Sequence, residues 1–132
     1  MKQVTRKYHS FDAEGKVLGR LAVEIARILS GRHRADFTPN IDGGDFVVVT
    51  NVSGITVTGG KEKKKMYHRY SGYPGGLKTL RYEEVRDRDV KCVLEKAVYG
   101  MLPANKLRAA RMKRLFLFEG KEQPHTIHVT HE

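Results

Sequence analysis

The chain has 132 residues and a formal net charge of +10, from 25 Lys and Arg against 15 Asp and Glu. Its apolar content of 39% can build a hydrophobic core, which excludes a wholly disordered basic tail. No apolar run approaches the roughly 18 residues of a membrane-spanning helix, and the first ten residues lack the hydrophobic region of a signal peptide. We therefore expect one domain over residues 1–132, without a membrane partner. A charge excess of this size indicates a polyanionic partner.

The cysteine content indicates the cellular compartment and limits the covalent and metal-binding chemistry of the chain. Cys92 is the single cysteine, so an internal disulfide and a cysteine-based zinc site are excluded. Its position in an amphipathic segment predicts a small core residue. These features are typical of a cytoplasmic, globular domain that needs no cofactor or metal.

The first half of the chain predicts strands around one strong helix. Tyr8–Asp12 is a short apolar run that we expect to be a strand. From Val17 to Ser30, apolar residues recur at the i, i+3, i+4, i+7 spacing of one buried helical stripe, and Gly31 follows as a left-handed end. Phe46–Thr50 is an unbroken β-branched run, typical of a strand buried on both faces of a parallel sheet. Ile55–Thr58 alternates apolar and polar residues, as a more exposed strand does.

The second half predicts further helices and one last strand. Tyr82–Asp89 is typical of a weak helix or a loop, and Val90–Met101 of an amphipathic helix. The helix expected over Asn105–Arg114 has basic residues all round its axis, so it lacks a core face and needs another surface. Leu115–Phe118 predicts a buried strand, and residues 120–132 a polar tail. Strands alternating with helices favour an α/β domain with a mostly parallel sheet.

The stretch from residue 59 to residue 78 combines lysines, arginine, tyrosines and glycines, and we expect an RNA-binding loop. Lys and Arg neutralise phosphates, Tyr faces stack on bases or sugars, and Gly lets another backbone approach closely. Basic clusters recur in the N-terminal end (residues 1–7), at 32–34, at 61–69 and at 106–114, as in a protein wedged among phosphates. The predicted RNA contacts are Arg32, Arg34, Lys61, Lys63, Lys64, Lys65, Tyr67, His68, Arg69, Tyr73, Gly75, Gly76, Lys106, Arg108, Arg111, Lys113 and Arg114.

Two glycine-containing stretches partly resemble known nucleotide- and RNA-binding motifs. The stretch from Gly54 to Lys61 differs from a phosphate-binding loop, because Gly60 intervenes between the second glycine of the motif and the lysine, and Glu62 follows where the motif has Ser or Thr. Gly72–Gly75 matches the Gly-x-x-Gly of KH domains, but the KH loop joins two helices and this segment does not. We interpret the second motif as a tight turn.

The acidic and histidine motifs have simpler interpretations. Asp42 and Asp45 flank glycines before a strand, where aspartate commonly caps turns, and no histidine is near in sequence. His125, His128 and His131 could hold zinc if the tail curled suitably, but such a tail is more often unstructured or laid on a partner. No serine or cysteine has the neighbours of a catalytic nucleophile. A free-standing RNA-binding regulator and an RNA-processing enzyme remain as alternative hypotheses.

Several motifs resemble one family, the bacterial large-subunit ribosomal protein L13 (uL13) family. They are Asp12–Gly15, Leu18–Ala22, Thr38–Pro39, Asp42–Asp45, Thr58–Gly59, Ser71–Leu77 and Ala97–Pro103, in family order along nearly the whole chain. In one departure, Leu107 is followed by Arg108 and Ala109, where the family usually has Leu-Gly-Arg.

The resemblance implies both a fold and a role. The expected fold is a three-layer α/β/α domain around a small, mostly parallel four-stranded sheet, with extended basic loops. The expected role is non-catalytic: binding of large-subunit (23S-type) rRNA, and support of subunit assembly in the cytoplasm. The implied partners are rRNA and neighbouring ribosomal proteins, and no stable homo-oligomer is expected.

Overall fold

The computed structural model describes residues 4–131 and contains two sheets and five α-helices in that range. A short 3-10 turn also occurs at Val52–Gly54. In chain order the elements are β1 (Tyr8–Asp12), α1 (Leu18–Ser30), β2 (Phe46–Thr50), α2 (Lys61–Lys64), β3 (Met66–Tyr70), β4 (Leu77–Arg81), α3 (Tyr82–Arg88), α4 (Val90–Met101), α5 (Leu107–Met112), β5 (Leu115–Leu117) and β6 (Val129–His131).

The main sheet has four strands in the order β5-β2-β1-β6, and each neighbouring pair is parallel. Phe46 lies opposite Tyr8, and Val129 opposite His9. All three valines of β2 are buried, as expected for a central strand covered on both faces. The predicted α/β class with a mostly parallel four-stranded sheet is confirmed.

One predicted strand is wrong, and another segment takes its place. In the Ile55–Thr58 segment, Thr56 forms only an isolated bridge to Val17. The fourth strand is β6, which lies in the segment predicted as a polar tail; Glu132 is outside the described residues. His128 leads into it and donates its backbone N–H to the carbonyl of Tyr8 over 3.0 Å. A three-residue strand with polar members carries no local periodicity, so its pairing with β1 is decided by tertiary structure.

Helices α1 and α4 supply most of the core on one face of the sheet. Leu21, Ile25 and Leu29 of α1 are at most 2% exposed, and they belong to the same buried cluster as Val93 and Leu94 of α4. Burial of one such side chain contributes about 1.5–3 kcal/mol to folding. Helix α1 ends at Ser30 as predicted, followed by Gly31 in the left-handed region at φ +86°.

Aromatic rings cover part of the opposite side of the sheet. Tyr8 and Phe46 stack with ring centroids 4.6 Å apart, and Phe116 packs on His125 at 4.4 Å. His125 belongs to the predicted polar tail, so this segment lies on the domain itself and carries β6 to the sheet edge.

The helices of the second half differ in how well the sequence predicts them. Helix α4 has the predicted bounds, α3 is a definite helix, and α5 is shorter than predicted. Cys92 is half-buried against the core, as its position in α4 predicts. None of the helices within residues 4–131 is long and apolar enough to cross a membrane.

Candidate nucleic-acid interface

The segment predicted as an RNA-binding loop is a β-hairpin preceded by one helical turn. Helix α2 leads into β3, which pairs with β4 in an antiparallel two-stranded sheet separate from the main one. The prediction of a loop over residues 59–78 is therefore wrong in conformation. Two five-residue runs with aromatic or aliphatic residues, separated by a Gly- and Pro-containing turn, are a hairpin signal that the sequence did carry.

The base of the hairpin is anchored in the domain through Tyr67. Its ring packs against the core, with the Nζ of Lys96 4.6 Å and that of Lys65 5.4 Å from the ring centroid. Burial of the Tyr67 hydroxyl, which has no hydrogen-bond partner within residues 4–131, raises its pKa to about 12. Because the Tyr67 ring already contacts the core and two lysine ammonium groups, it is not free to stack on a base.

The hairpin and the helical turn before it concentrate positive charge with little counter-charge. Residues 61–81 contain seven Lys or Arg and one acidic residue, Glu62. Arg69 and Lys78 lie directly opposite each other across the two strands, and both are exposed. Neither forms an ion pair within the described part of the chain. Like charges in this position destabilise a free hairpin, whereas a polyanion between them would remove the repulsion.

The tip of the hairpin is a tight turn with one exposed ring. The N–H of Gly76 donates to the carbonyl of Tyr73 over 2.9 Å, and the side chain of Tyr73 is 75% exposed. A Cβ on Gly76 would lie 2.9 Å from the backbone carbonyl oxygen of Tyr73 and 2.0 Å from the hydroxyl of Ser71, so the turn itself requires this glycine. Gly75, at φ +73°, has open space around it and remains accessible to another backbone. The hairpin context also agrees with interpreting Gly72–Gly75 as a turn and not as a KH loop.

Arg111 and Arg114, two predicted RNA contacts, are buried inside the protein. They are 1% and 6% exposed. One Arg114 Nη lies 2.7 Å from a carboxylate oxygen of Asp42 and 2.7 Å from the carbonyl of Leu29, and Arg111 Nε lies 3.6 Å from Asp42. Burial raises the pKa of Asp42, but the hydrogen bond and charge of Arg114, with the charges of Arg6 and Arg111, lower it overall. We correct the prediction: both arginines are structural.

Helix α5 consequently has an inward face, contrary to the sequence interpretation. That face carries the buried guanidinium of Arg111. The pattern of charges in the sequence does not indicate it, because arginine is usually exposed. Lys106 and Lys113 are exposed at the two ends of the helix. Arg108 lies 3.8 Å from the centroid of the Tyr99 ring and donates to its hydroxyl over 2.7 Å, so its guanidinium is held at the surface.

The two arginines after α1 also differ from each other. Arg32 is exposed, with its guanidinium 5.9 Å from the ring centroid of Phe37. Arg34 is half-buried and donates to the carbonyl of Thr5 over 3.0 Å and to the carboxylate of Asp36 over 3.2 Å. These hydrogen bonds stabilise the loop that contains Arg34 and join it to the N-terminal segment. In the N-terminal basic cluster, Lys2 lies outside the described residues.

The family model for ribosomal protein L13 matches residues 6–124. The chain belongs to the ribosomal protein L13 family. It is 51% identical to the large ribosomal subunit protein uL13 of Pelotomaculum thermopropionicum, over 91% of this chain and 83% of that protein. The uL13 of Clostridioides difficile (strain 630) is 51% identical over 92% and 85% of the two chains, and that of Legionella pneumophila (strain Corby) 47% over 94% and 86%.

Membership in the L13 family confirms the resemblance found in the sequence motifs. The family is one of structural ribosomal proteins, so the prediction that the chain is not an enzyme is also confirmed. The relatives are named as large-subunit proteins, and this subunit is cytoplasmic in bacteria, in agreement with the predicted location.

Within this L13-family fold, the structure adds exposed hairpin residues that the list of predicted RNA contacts lacks. All of them lie on the two hairpin strands, beside the predicted basic residues. They are Met66, Tyr70, Leu77, Lys78 and Arg81. Cross-strand register brings Tyr70 opposite Leu77 and Met66 opposite Arg81. The signal that could have found them is the alternation of the two strands, once the segment is interpreted as a hairpin.

Asp45 is not a turn cap but the centre of a buried histidine cluster. The Nε2 atoms of His9 and His33 each lie 2.8 Å from the same carboxylate oxygen of Asp45, and the backbone N–H of Lys7 donates to the other oxygen over 3.2 Å. Burial raises the pKa of Asp45, but the hydrogen bonds from both histidines and Lys7 lower it overall. The sequence interpretation missed this cluster because His9 is 36 positions away.

The three tail histidines do not converge on one point. His125 packs in the aromatic cluster, and His128 Nδ1 accepts the backbone N–H of Tyr8 over 3.1 Å. His131 Nε2 instead lies 2.9 Å from Nδ1 of His9. Burial, followed by the charge of His9, lowers the pKa of His131. The idea of a zinc site built from a curled tail does not fit this arrangement.

Proposed function

We propose that this chain is a structural, non-catalytic component of the large ribosomal subunit that binds large-subunit rRNA and supports subunit assembly. Membership in the L13 family supports the ribosomal role. The observation that carries RNA binding is the exposed Arg69–Lys78 pair, two like charges held opposite each other without an ion-pair partner in the described residues. A phosphate backbone supplies the missing negative charge.

The proposed interface combines the hairpin with the exposed ends of neighbouring elements. Phosphate contacts of this kind position a protein on RNA and carry little sequence information, while an exposed ring such as Tyr73 can stack on an unpaired base. The other predicted contacts that the structure leaves at least partly exposed and that belong to this proposal are Arg32, Lys61, Lys63, Lys64, Lys65, His68, Arg69, Gly75, Lys106, Arg108 and Lys113.

We further propose that the protein acts as one copy beside neighbouring large-subunit proteins. Two copies with a net charge of +10 each repel one another, which disfavours a stable homo-oligomer. Among the exposed apolar side chains, Tyr70 and Leu77 lie opposite each other on the hairpin. There they can contact a neighbouring protein beside the RNA.

Sedimentation of cell lysate through sucrose gradients at moderate and high salt tests the ribosomal role. We expect the chain to migrate with the large subunit and to survive the salt wash, because an integral protein is held by many phosphate contacts at once. Migration free of ribosomes, or release at modest salt, would contradict the proposal and favour a free-standing RNA-binding regulator.

A test of the RNA contact itself needs purified components. We expect the purified chain to bind a large-subunit rRNA transcript more tightly than a small-subunit transcript of equal length. Equal affinity for the two would leave only general polyanion binding and would contradict recognition of large-subunit rRNA.

A further inference from the structure

We propose that His9, His33 and Asp45 form a zinc(II) site with the two imidazole Nε2 atoms and one carboxylate oxygen as ligands. The three ligand atoms lie within 4.8 Å of one another. They come from three separate segments: strand β1, the loop after α1, and the residue directly before β2. The proposal is independent of RNA binding, because none of these side chains belongs to the proposed RNA interface.

The ligand atoms already converge, and a metal requires only a small expansion. Both Nε2 atoms are 2.8 Å from the same Asp45 oxygen. Zinc bonds of about 2.0–2.1 Å in tetrahedral geometry separate ligand atoms by roughly 3.3 Å. Each histidine therefore needs to retreat by roughly half an ångström to admit the ion. Because His33 is 23% exposed and lies in a loop, it can make that movement.

The groups behind the ligands suit metal binding. His9 Nδ1 faces His131 Nε2 at 2.9 Å, so the Nδ1–H of His9 can donate a hydrogen bond to His131 when the Nε2 of His9 is bonded to zinc. A partner on the second ring nitrogen fixes the tautomer and orientation of a ligating histidine. The second oxygen of Asp45 accepts the backbone N–H of Lys7, which orients the carboxylate and leaves its other oxygen for the ion.

The type of donor and the surroundings favour zinc. Two imidazoles with one carboxylate suit Zn²⁺, whereas Mg²⁺ and Ca²⁺ prefer oxygen ligands. His9 and Asp45 are buried, with side chains 7% and 5% exposed. A cavity of about 330 Å³ reaches the cluster, and its lining also includes Thr5, Lys7 and Arg34. Water can enter there as the fourth ligand, as at zinc sites with three protein ligands.

The charges around the site work partly against the ion. Arg34 Nη1 lies 3.6 Å from the second oxygen of Asp45, and this guanidinium repels a dication. Since the pair uses the oxygen that is not a ligand, Arg34 need not leave its place. The bound ion would join the beginning of β2 to β1 and to the loop after α1, so it would stabilise the fold.

Titration of the tag-free, full-length chain with Zn²⁺, after treatment with a chelator, tests the site. We expect one equivalent to bind in calorimetry, an increase in the melting temperature, and a visible absorption band of tetrahedral type when Co²⁺ replaces Zn²⁺. Wild-type protein that binds no Zn²⁺, or binds it without an increase in melting temperature, would overturn the proposal.

Variants locate the bound ion. His33→Gln and Asp45→Asn should lose the stoichiometric binding, and His131→Gln should weaken it roughly tenfold, as loss of a partner behind a ligand does. His33→Gln is the decisive variant because the side chain is partly exposed and the fold should persist, which circular dichroism verifies. His68→Gln, an exposed hairpin histidine, is the matched control and should bind like wild type. Retained binding in folded His33→Gln, or loss in His68→Gln, would overturn the assignment.

Discussion

The arginines of α5 and the cations of the hairpin are the same residue types with opposite environments. Arg111 and Arg114 are buried around Asp42, and the two guanidinium groups share its single negative charge inside the fold. Arg69 and Lys78 face each other in solvent and have no ion-pair partner in the described residues. The available counter-charge, rather than positive charge itself, therefore separates a structural cation from one that remains available to a polyanion.

The energetic consequences of the two arrangements also differ. A buried charge that loses its partner costs several kcal/mol, whereas an exposed charge stays solvated and costs little. Substitutions at the two sites should therefore change different observables: the free energy of unfolding at Asp42, and RNA affinity at the hairpin.

The largest effect is expected for Asp42→Asn. Removing this charge leaves Arg111 and Arg114 buried without a counter-ion, so we expect the free energy of unfolding to fall by about 3–5 kcal/mol. Urea unfolding followed by circular dichroism measures the change. Asp87→Asn, at an exposed position of α3, is the control and should stay within about 0.5 kcal/mol of wild type. A similar small effect of Asp42→Asn would mean that the buried arginines do not depend on it.

The next largest effect concerns RNA. Arg69→Ala with Lys78→Ala should weaken rRNA binding by roughly thirtyfold, taking about 1 kcal/mol for each lost solvent-exposed ion pair with a phosphate. The slope of log affinity against log salt should decrease by about two, while stability stays constant or rises because like charges are removed. Arg69→Ala alone should give about half the slope change.

A matched variant separates local contacts from net charge. Arg20→Ala with Lys121→Ala also removes two exposed positive charges, but outside the hairpin. It should leave the affinity within a few-fold of wild type. Equal losses in the two double variants would mean that the hairpin has no special part in binding.

Acid should abolish the Asp42 effect by titration. The pKa of Asp42 lies below its ordinary value of 3.8, so its contribution to stability is complete above that pH and is lost as pH falls through the lower folded-state value. We therefore expect the difference in unfolding free energy between wild type and Asp42→Asn to shrink as pH is lowered from 5 to below about 3.8. A difference that stays constant over this range would contradict the assigned ion pair.

The smallest effect is expected for Tyr67→Phe at neutral pH. The hydroxyl is buried without a partner within residues 4–131, so its removal should leave stability unchanged or slightly higher and rRNA affinity unaltered. In wild type, burial disfavours the charged phenolate and raises the pKa to about 12, so the fold should lose stability as pH rises from 10 to 12. The variant should lack that loss in an alkaline unfolding series.

Local periodicity explains what the sequence could predict of the fold. The bounds of β1, β2 and α4 agree with the prediction, and those of α1 within one residue, because each carries a clear hydrophobic pattern. Strand β6 has no such pattern, since it consists of Val129, Thr130 and His131 and gains its role only by pairing with β1. The sequence predicts a loop instead of the hairpin because the two polar strands are exposed and bury little against the core.

Only the solvent-exposed charged residues of the candidate sites could be predicted from the sequence. The exposed basic residues of the hairpin follow from composition, but the burial of Arg111 depends on Asp42, which lies far away in the chain. The cluster of His9, His33 and Asp45 likewise joins segments whose proximity is decided by the parallel pairing of β1 and β2. Tertiary partners of this kind leave no signature in neighbouring residues.

The two sheets should also form on different time scales. The hairpin pairs adjacent segments, and such structures close in about 1–10 μs. The main sheet joins residues as distant as Tyr8 and His128, 120 positions apart, and closing long loops for parallel pairing is slow. We therefore expect the basic hairpin to reach a native-like shape before the sheet does. RNA that binds the hairpin at this stage would remain bound to the chain while the strands of the main sheet, which are distant in sequence, pair with one another.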